Sequence, residues 1–340
     1  MKRIGIIPKV SGIGGMVSFQ AKFIRGLEQR QIQHTFAPDE SIDSLLVIGG
    51  TRHFNTLRQA RQRNLPVIQR LDGINWLHRR LPTGPLHWLR AERGNRVLAH
   101  IRSRLATGII YQSHFVHAWW QRQFGPGPDA RIIHNGVDLN TFTPHGPETP
   151  PGSYFRILVV EGSLRGGYES GLESAVQLAR RLEHEYRLDV ELAVAGLVSE
   201  MQRAHYAART QRPITWLGVV ANEQVPALNR SAHLLYSTDI NAACPNSVIE
   251  ALACGLPVLA YDTGALNELV PAAAGRLVPY GGDPWKLDAP DAAGLAAAAN
   301  ELLTAPAAQQ AAMRQAARAH AEAHLSLDQM VDAYIEALHG

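Results

Sequence analysis

Apolar residues recur along this 340-residue chain in short runs, and the stretches between the runs space them three and four apart. In the first half, Arg3–Ile7, Leu45–Ile48, Val67–Arg70, Gly108–Tyr111 and Arg131–His134 read as buried strands. Gly15–Gln31, Arg52–Asn64 and His114–Phe124 read as helices with one apolar face. Strand and helix alternate, which predicts a parallel sheet covered by helices. Between Pro144 and Gly152 the pattern stops: four prolines and two glycines in nine residues predict a stiff linker. It then restarts. Arg156–Val160, Val190–Ala195, Ile214–Leu217, Leu234–Ser237, Val258–Tyr261 and Arg276–Val278 predict strands. Gly171–Tyr186, Ser247–Cys254 and the Ala-rich stretch Ala292–His324 read as helical, and Leu327–Leu338 closes the chain as an amphipathic helix. The expected domains are 1–143, a linker at 144–154, 155–325, and a final helix at 326–340.

The segment from Asn246 to Glu268 carries the densest chemical information. Asn246 or Ser247 could cap a helix, because their side-chain oxygens accept first-turn N–H groups. Gly255 and Pro257 end that helix, and Val258–Tyr261 follows as a buried strand. A helix start in such a unit opens on a crevice and suits a phosphate. Glu250 stands one turn inside. The plain alternative is a capping box, Ser247-x-x-Glu250, in which the carboxylate serves only the backbone.

Composition adds an asymmetry to this picture. Residues 1–150 hold 20 Lys+Arg against 9 Asp+Glu, whereas 151–340 hold 13 against 21, so a net +3 conceals a basic half and an acidic half. Between Trp76 and Leu105 lie Arg79, Arg80, Arg90, Arg93, Arg96, Arg102 and Arg104 with Glu92 alone opposing them, interleaved with Trp76, Leu77, Leu81, Leu86, Trp88 and Leu89. That mix fits an anionic acceptor or a peripheral contact with an anionic membrane. It equally fits arginines that pair with the acidic half. No nucleic-acid module is recognisable, so nucleic acid is not an expected partner. No apolar run approaches the ~18 residues of a membrane span, and no secretory signal is visible. With two cysteines, Cys244 and Cys254, outside any metal-ligand spacing, the expected compartment is the cytoplasm or the inner membrane face.

The Asn246–Glu268 segment resembles the nucleotide-sugar signature of family 4 retaining glycosyltransferases. Further landmarks follow the family's order: Gly14-Gly15, Arg70-Leu-Asp-Gly73, Ile110-Tyr-Gln-Ser113, Asn135-Gly-Val-Asp138 with Phe142 and Pro144, and Gly264-x-x-x-Glu268. The resemblance implies a GT-B fold: two Rossmann-like α/β domains, each with a parallel sheet, facing a central crevice, and a last helix that often crosses back to the first domain. It implies transfer of a sugar from a nucleoside-diphosphate sugar to an acceptor with retention of configuration. That acceptor would be lipid-linked, a glycan or a small molecule. By resemblance, Glu250 holds the ribose, and the helix start at Asn246, Ser247 and Val248 takes a donor phosphate. Gly14 and Gly15 face the sugar phosphate, Asp72 contacts the sugar, and Arg165 pairs with the diphosphate.

Read from the residues, Ser11-Gly-Ile-Gly-Gly15 is a strand-to-helix turn whose N–H groups can approach an anion. Val17 breaks the dinucleotide fingerprint, and no Walker lysine follows, which argues against a plain NAD enzyme or a P-loop NTPase. Asp72 is either a sugar contact or a turn-former before Gly73. No cofactor and no metal are expected, because fixed cations and the helix dipole would do the metal's work. His114 and His117 have metal spacing without a third ligand. Two departures stand out: no Lys follows Arg165, and Ala242 occupies a position where the family often has Glu. The competing readings are a GT-B sugar-nucleotide epimerase and a degenerate binding or scaffold protein.

Overall fold

The computed structural model describes residues 3–12, 14–38, 41–164, 169–207 and 209–339. The chain forms two units, Met1–Gly136 with Leu327–Gly340, and Val137–Ser326. In the first unit the order is β1 (Arg3–Ile7), α1 (Gly15–Gln29), β2 (Gln33–Thr35), β3 (Ser44–Ile48), α2 (Phe54–Gln62), β4 (Val67–Leu71), α3 (Pro85–His100), β5 (Gly108–Tyr111), α4 (His114–Phe124) and β6 (Ala130–Ile132). All six strands are parallel, in the order β2-β1-β3-β4-β5-β6. The central strands are apolar on both faces because helices cover both, as a parallel sheet requires.

The second unit contains β7 (Phe155–Ser163), α5 (Glu169–Glu185), β8 (Val190–Leu197), α6 (Glu200–Tyr206), β9 (Thr215–Gly218), α7 (Val225–Arg230), β10 (Leu234–Ser237), α8 (Asn246–Ala253), β11 (Val258–Tyr261), α9 (Leu266–Leu269), β12 (Gly275–Val278), α10 (Ala292–Thr304) and α11 (Ala307–His324). Its six parallel strands run β12-β11-β10-β7-β8-β9. One core lies on each face of this sheet: Ile157, Val159, Leu172, Val194 and Tyr236 on one side, Leu158, Leu235, Val248 and Leu252 on the other.

The last helix, α12 (Leu327–His339), belongs to the first unit. It buries Leu327, Met330, Val331, Tyr334, Ala337 and Leu338 at helical spacing. Tyr334 packs against Phe19 and Phe23 of α1, with ring centroids 5.0 and 5.5 Å away. Gly26 of α1 makes the approach possible, since a Cβ there would lie 2.5 Å from Val331 Cγ2. Arg30 pairs with Asp328 and Asp332 at 3.1 and 2.7 Å, but both carboxylates are exposed, so the buried apolar face holds the helix.

Three local readings change. Ala292–His324 is two helices rather than one stretch, because Pro306 lacks the N–H that would continue α10 and holds Ala305 extended. Neither Asn246 nor Ser247 caps α8: Pro245 is the N-cap residue, and no side chain caps the helix. Ser247 and Glu250 therefore lie inside the helix and form no capping box. Residues 137–143 pack with the second unit, where Val137 and Phe142 are buried in the core under Leu252 and Ala317. The Pro-rich segment is tied to the same unit by Arg230, which bonds Glu148 and the Thr143 carbonyl.

Candidate functional site

Open parallel sheets bind ligands beyond the carboxyl ends of their strands, at the point where the strand order reverses. In the second unit that point lies between β7 and β10, neighbours in the sheet although α5, β8, α6, β9 and α7 lie between them in sequence. The segment after β10 leads directly into α8. Asn246, Ser247 and Val248 form its first turn, and Ile249 N–H is the first to return to the Pro245 carbonyl, at 3.3 Å. With no side-chain cap, the helix start keeps its N–H donors and partial positive charge for an anion. Glu250 follows one turn in and is buried. The opposite end is closed by Arg318, whose guanidinium donates to the Ala253 carbonyl at 2.8 Å.

Two carboxylates that sequence reasoning missed flank the reversal. Glu161 lies near the carboxyl end of β7 and Asp239 follows β10; both are half-buried. Thr238 donates to Glu161 at 3.3 Å. Burial, with the nearby Asp239 charge, pushes the Glu161 carboxyl above the usual range, and burial raises Asp239 as well. Each residue looks unremarkable in sequence, and only the adjacency of β7 and β10 brings the two together. Arg165, expected in the segment after β7, lies outside the described residues.

In the first unit, Gly14 and Gly15 open α1 beyond the carboxyl end of β1. Gly14 has φ +133, which requires glycine, and a Cβ at Gly14 or Gly15 would meet nothing within 4 Å, so the turn leaves open space. Asp72 follows β4 and is held by Arg70, whose Nη1 donates to Asp72 Oδ1 at 2.9 Å. Arg70 is fully buried, lies 4.0 Å from the Phe19 ring centroid and donates from Nη2 to Asn135 Oδ1 at 3.0 Å. Asn135 in turn donates to Gln112 at 3.2 Å, which places the Asn135-Gly-Val-Asp138 turn in a buried polar network. Asp72 thus has a partner that neither sequence reading anticipated: it is the counter-ion of a buried cation. Gly73 beside it is fixed by crowding, since a Cβ would lie 2.7 Å from Trp119.

Among the described residues no group of three or more His, Cys, Asp or Glu forms a metal-binding set. His117 of α4 packs 4.9 Å from the Tyr111 ring, and burial lowers its pKa. Both cysteines are buried, and burial pushes the Cys254 thiol up to about 12, too high for a nucleophile at neutral pH.

The two six-stranded parallel sheets with flanking helices define the GT-B glycosyltransferase fold. Residues 156–305, within the second unit, match the family model described as Glycosyl transferases group 1. A glycosyltransferase from Rickettsia africae is similar with a TM-score of 0.72 and 14% identity, covering 99% of this chain and 97% of its own. HepE of Anabaena, solved with UDP-glucose, gives 0.70 and 17%, covering 99% and 100%. WaaG, a glycosyltransferase involved in lipopolysaccharide biosynthesis, gives 0.70 and 14% over 99% and 100%. Comparison with curated protein sequences gives no match.

Proposed function

We propose that the protein is a glycosyltransferase that moves a sugar from a nucleoside-diphosphate sugar to an acceptor with retention of configuration. The observation that carries this reading is α8. Its uncapped start and the buried Glu250 follow a strand at the sheet's reversal point, inside the segment that matches group 1 glycosyltransferases. The N–H groups of Asn246, Ser247 and Val248 and the Arg165 guanidinium take the diphosphate, and Glu250 accepts ribose hydroxyls. As the bond from the anomeric carbon to the phosphate oxygen breaks, the departing oxygen gains charge that these donors stabilise. The carbon becomes oxocarbenium-like, and Asp72 offsets its charge. The acceptor hydroxyl bonds to that carbon on the same face and gives its proton to the departing phosphate. Gly14 and Gly15 leave room for the sugar phosphate and acceptor. In this scheme no divalent metal takes part.

The test is a thermal-shift panel of UDP-, GDP-, ADP- and dTDP-sugars, followed by turnover with EDTA and NMR of the product's anomeric proton. A ligand at ~100 times its dissociation constant adds ~2.7 kcal/mol, a readable shift. Retained configuration with EDTA present is the expected result. Binding of no nucleotide sugar, donor turnover without acceptor, or activity that only Mg²⁺ or Mn²⁺ restores would each overturn part of the scheme.

We also propose that this enzyme works at the inner membrane face, with α3 as the contact. Among the described residues six large hydrophobic side chains are exposed, and three of them, Leu86 (79%), Trp88 (46%) and Leu89 (60%), fall at the start of α3. Leu86, Leu89, Arg90, Arg93 and Arg96 share one helix face. Glu92, the acidic residue of this helix, is engaged by Arg79 and His78 at 2.6 and 2.9 Å, and the Arg79 bond leads in lowering its pKa to about 2. An apolar tip rimmed by arginines suits an anionic lipid surface and an acceptor presented there. In vesicle sedimentation, binding should require anionic lipid and fade with salt. Pelleting that ignores lipid charge, or no pelleting, would remove the membrane contact.

A further inference from the structure

Five described non-glycine residues have left-handed backbone: Gln31, Asn64, Arg187, Asn241 and Leu287. Gln31, Asn64 and Arg187 are exposed and lie just after α1, α2 and α5, while Leu287 is half-buried in a turn. Asn241 differs from all four. With φ 58 it is only 5% exposed, and its side-chain Nδ2 has no acceptor. Buried donors are nearly always paired, and a left-handed residue persists only where its surroundings enforce it.

The surroundings do enforce it. The Asn241 N–H donates to Thr263 Oγ1 at 3.2 Å, and the Ala242 carbonyl accepts from Ala265 N–H at 2.9 Å. Gly264 passes so close that a Cβ there would lie 2.5 Å from both N and O of Ala242 and 2.7 Å from the Asn241 carbonyl carbon. The backbone is thus fixed on the β11 side while the amide is left unused. Ser237, at the end of β10, likewise has a buried Oγ without a partner. Both groups border the strand reversal that Glu161 and Asp239 flank, on the stretch that runs into α8.

We propose that Asn241 reads the sugar of a nucleotide sugar bound to the second unit, donating from Nδ2 to a hydroxyl oxygen of that sugar. This rests on the nucleotide-sugar reading of the site. The assignment to sugar rather than phosphate follows from charge. Phosphate oxygens have the N–H groups of the α8 start, whereas a phosphate beside Asn241 would face the Glu161 and Asp239 carboxyl groups, which offer it no counter-charge. A neutral amide donor complements a neutral hydroxyl oxygen, and the carboxyl groups can exchange hydrogen bonds with the other hydroxyls of a polyol.

The test uses Asn241→Gly in the full-length chain, because glycine adopts φ 58 without strain and removes only the amide. Calorimetry compares UDP with UDP-glucose and GDP with GDP-mannose on wild type and variant, alongside melting temperature. In the pair that wild type binds, affinity for the nucleotide sugar should fall about 5- to 10-fold, with affinity for the free diphosphate and the melting temperature unchanged. Asn241→Asp, which keeps the shape and reverses the donor, should lose at least as much. Equal affinity of Asn241→Gly and wild type for the nucleotide sugar overturns the assignment. Equal loss for sugar nucleotide and free diphosphate overturns it too, in favour of a phosphate or structural role. A wild type that binds neither pair overturns the nucleotide-sugar reading along with it.

Discussion

Exchanging Glu250 for glutamine should weaken nucleoside diphosphate binding about 10- to 100-fold and leave the melting temperature nearly unchanged. Hydrogen bonds to a charged group are worth about 1.5–3 kcal/mol, which is that range of affinity. The structure sharpens this expectation by removing the capping-box role. A capping box joins the N-cap residue to the third helical position, and these are Pro245 and Val248, neither of which has the side chain for it. Glu250 lies two positions further on and is buried in the α8 turn. Glutamine keeps its size and one acceptor oxygen but loses the charge and the second acceptor that bind a pair of ribose hydroxyls. Calorimetry with UDP or GDP, set beside thermal melts, measures both effects. An unchanged dissociation constant with a lowered melting temperature would assign Glu250 to the fold.

Gly264→Ala should cost about 2–5 kcal/mol of stability. Two effects add. At φ +65 a Cβ costs about 1–2 kcal/mol, and the Cβ would press on the backbone N and O of Ala242, which cannot turn aside as a flexible side chain does. Overpacking of that kind costs about 1–3 kcal/mol. Gly12 is the natural control: at φ +102 it is strained in the same sense, but nothing lies within 4 Å of its Cβ position. Gly12→Ala should therefore lose only the conformational part. Urea unfolding of both variants reads the difference, and equal midpoints would sink the close-approach argument.

Much of this fold was legible in the sequence for a physical reason. A strand buried on both faces has to be apolar throughout, so Gly108–Tyr111, Leu234–Ser237 and Val258–Tyr261 announce themselves. Gln33–Thr35 does not, because β2 is a three-residue edge strand, half-exposed and polar. The α3 helix escaped as a defined element because its apolar first turn faces outward and its buried residue is Asn95, which inverts the usual pattern. The α8 start and Glu250 were readable because consecutive residues build them. Glu161, Asp239 and Asn241 were not. Their meaning depends on which strands become neighbours and on a backbone angle, and neither is written in local spacing. The Arg70–Asp72 pair lies within four residues of sequence, yet the burial of Arg70 that gives it weight comes from α1 and the Asn135 turn.

The return of α12 to the first unit has a consequence for biogenesis. The sheet of that unit is finished by Ile132, but the helix that covers Phe19 and Phe23 is encoded after Ser326. The whole of Val137–Ser326 must be translated in between. At roughly 5–20 residues per second that interval is on the order of ten to forty seconds. Throughout it, the apolar groove on α1 stands open to chaperones and to other nascent chains, while the second unit, being continuous, can close first. The order of maturation is thus the reverse of the order of synthesis.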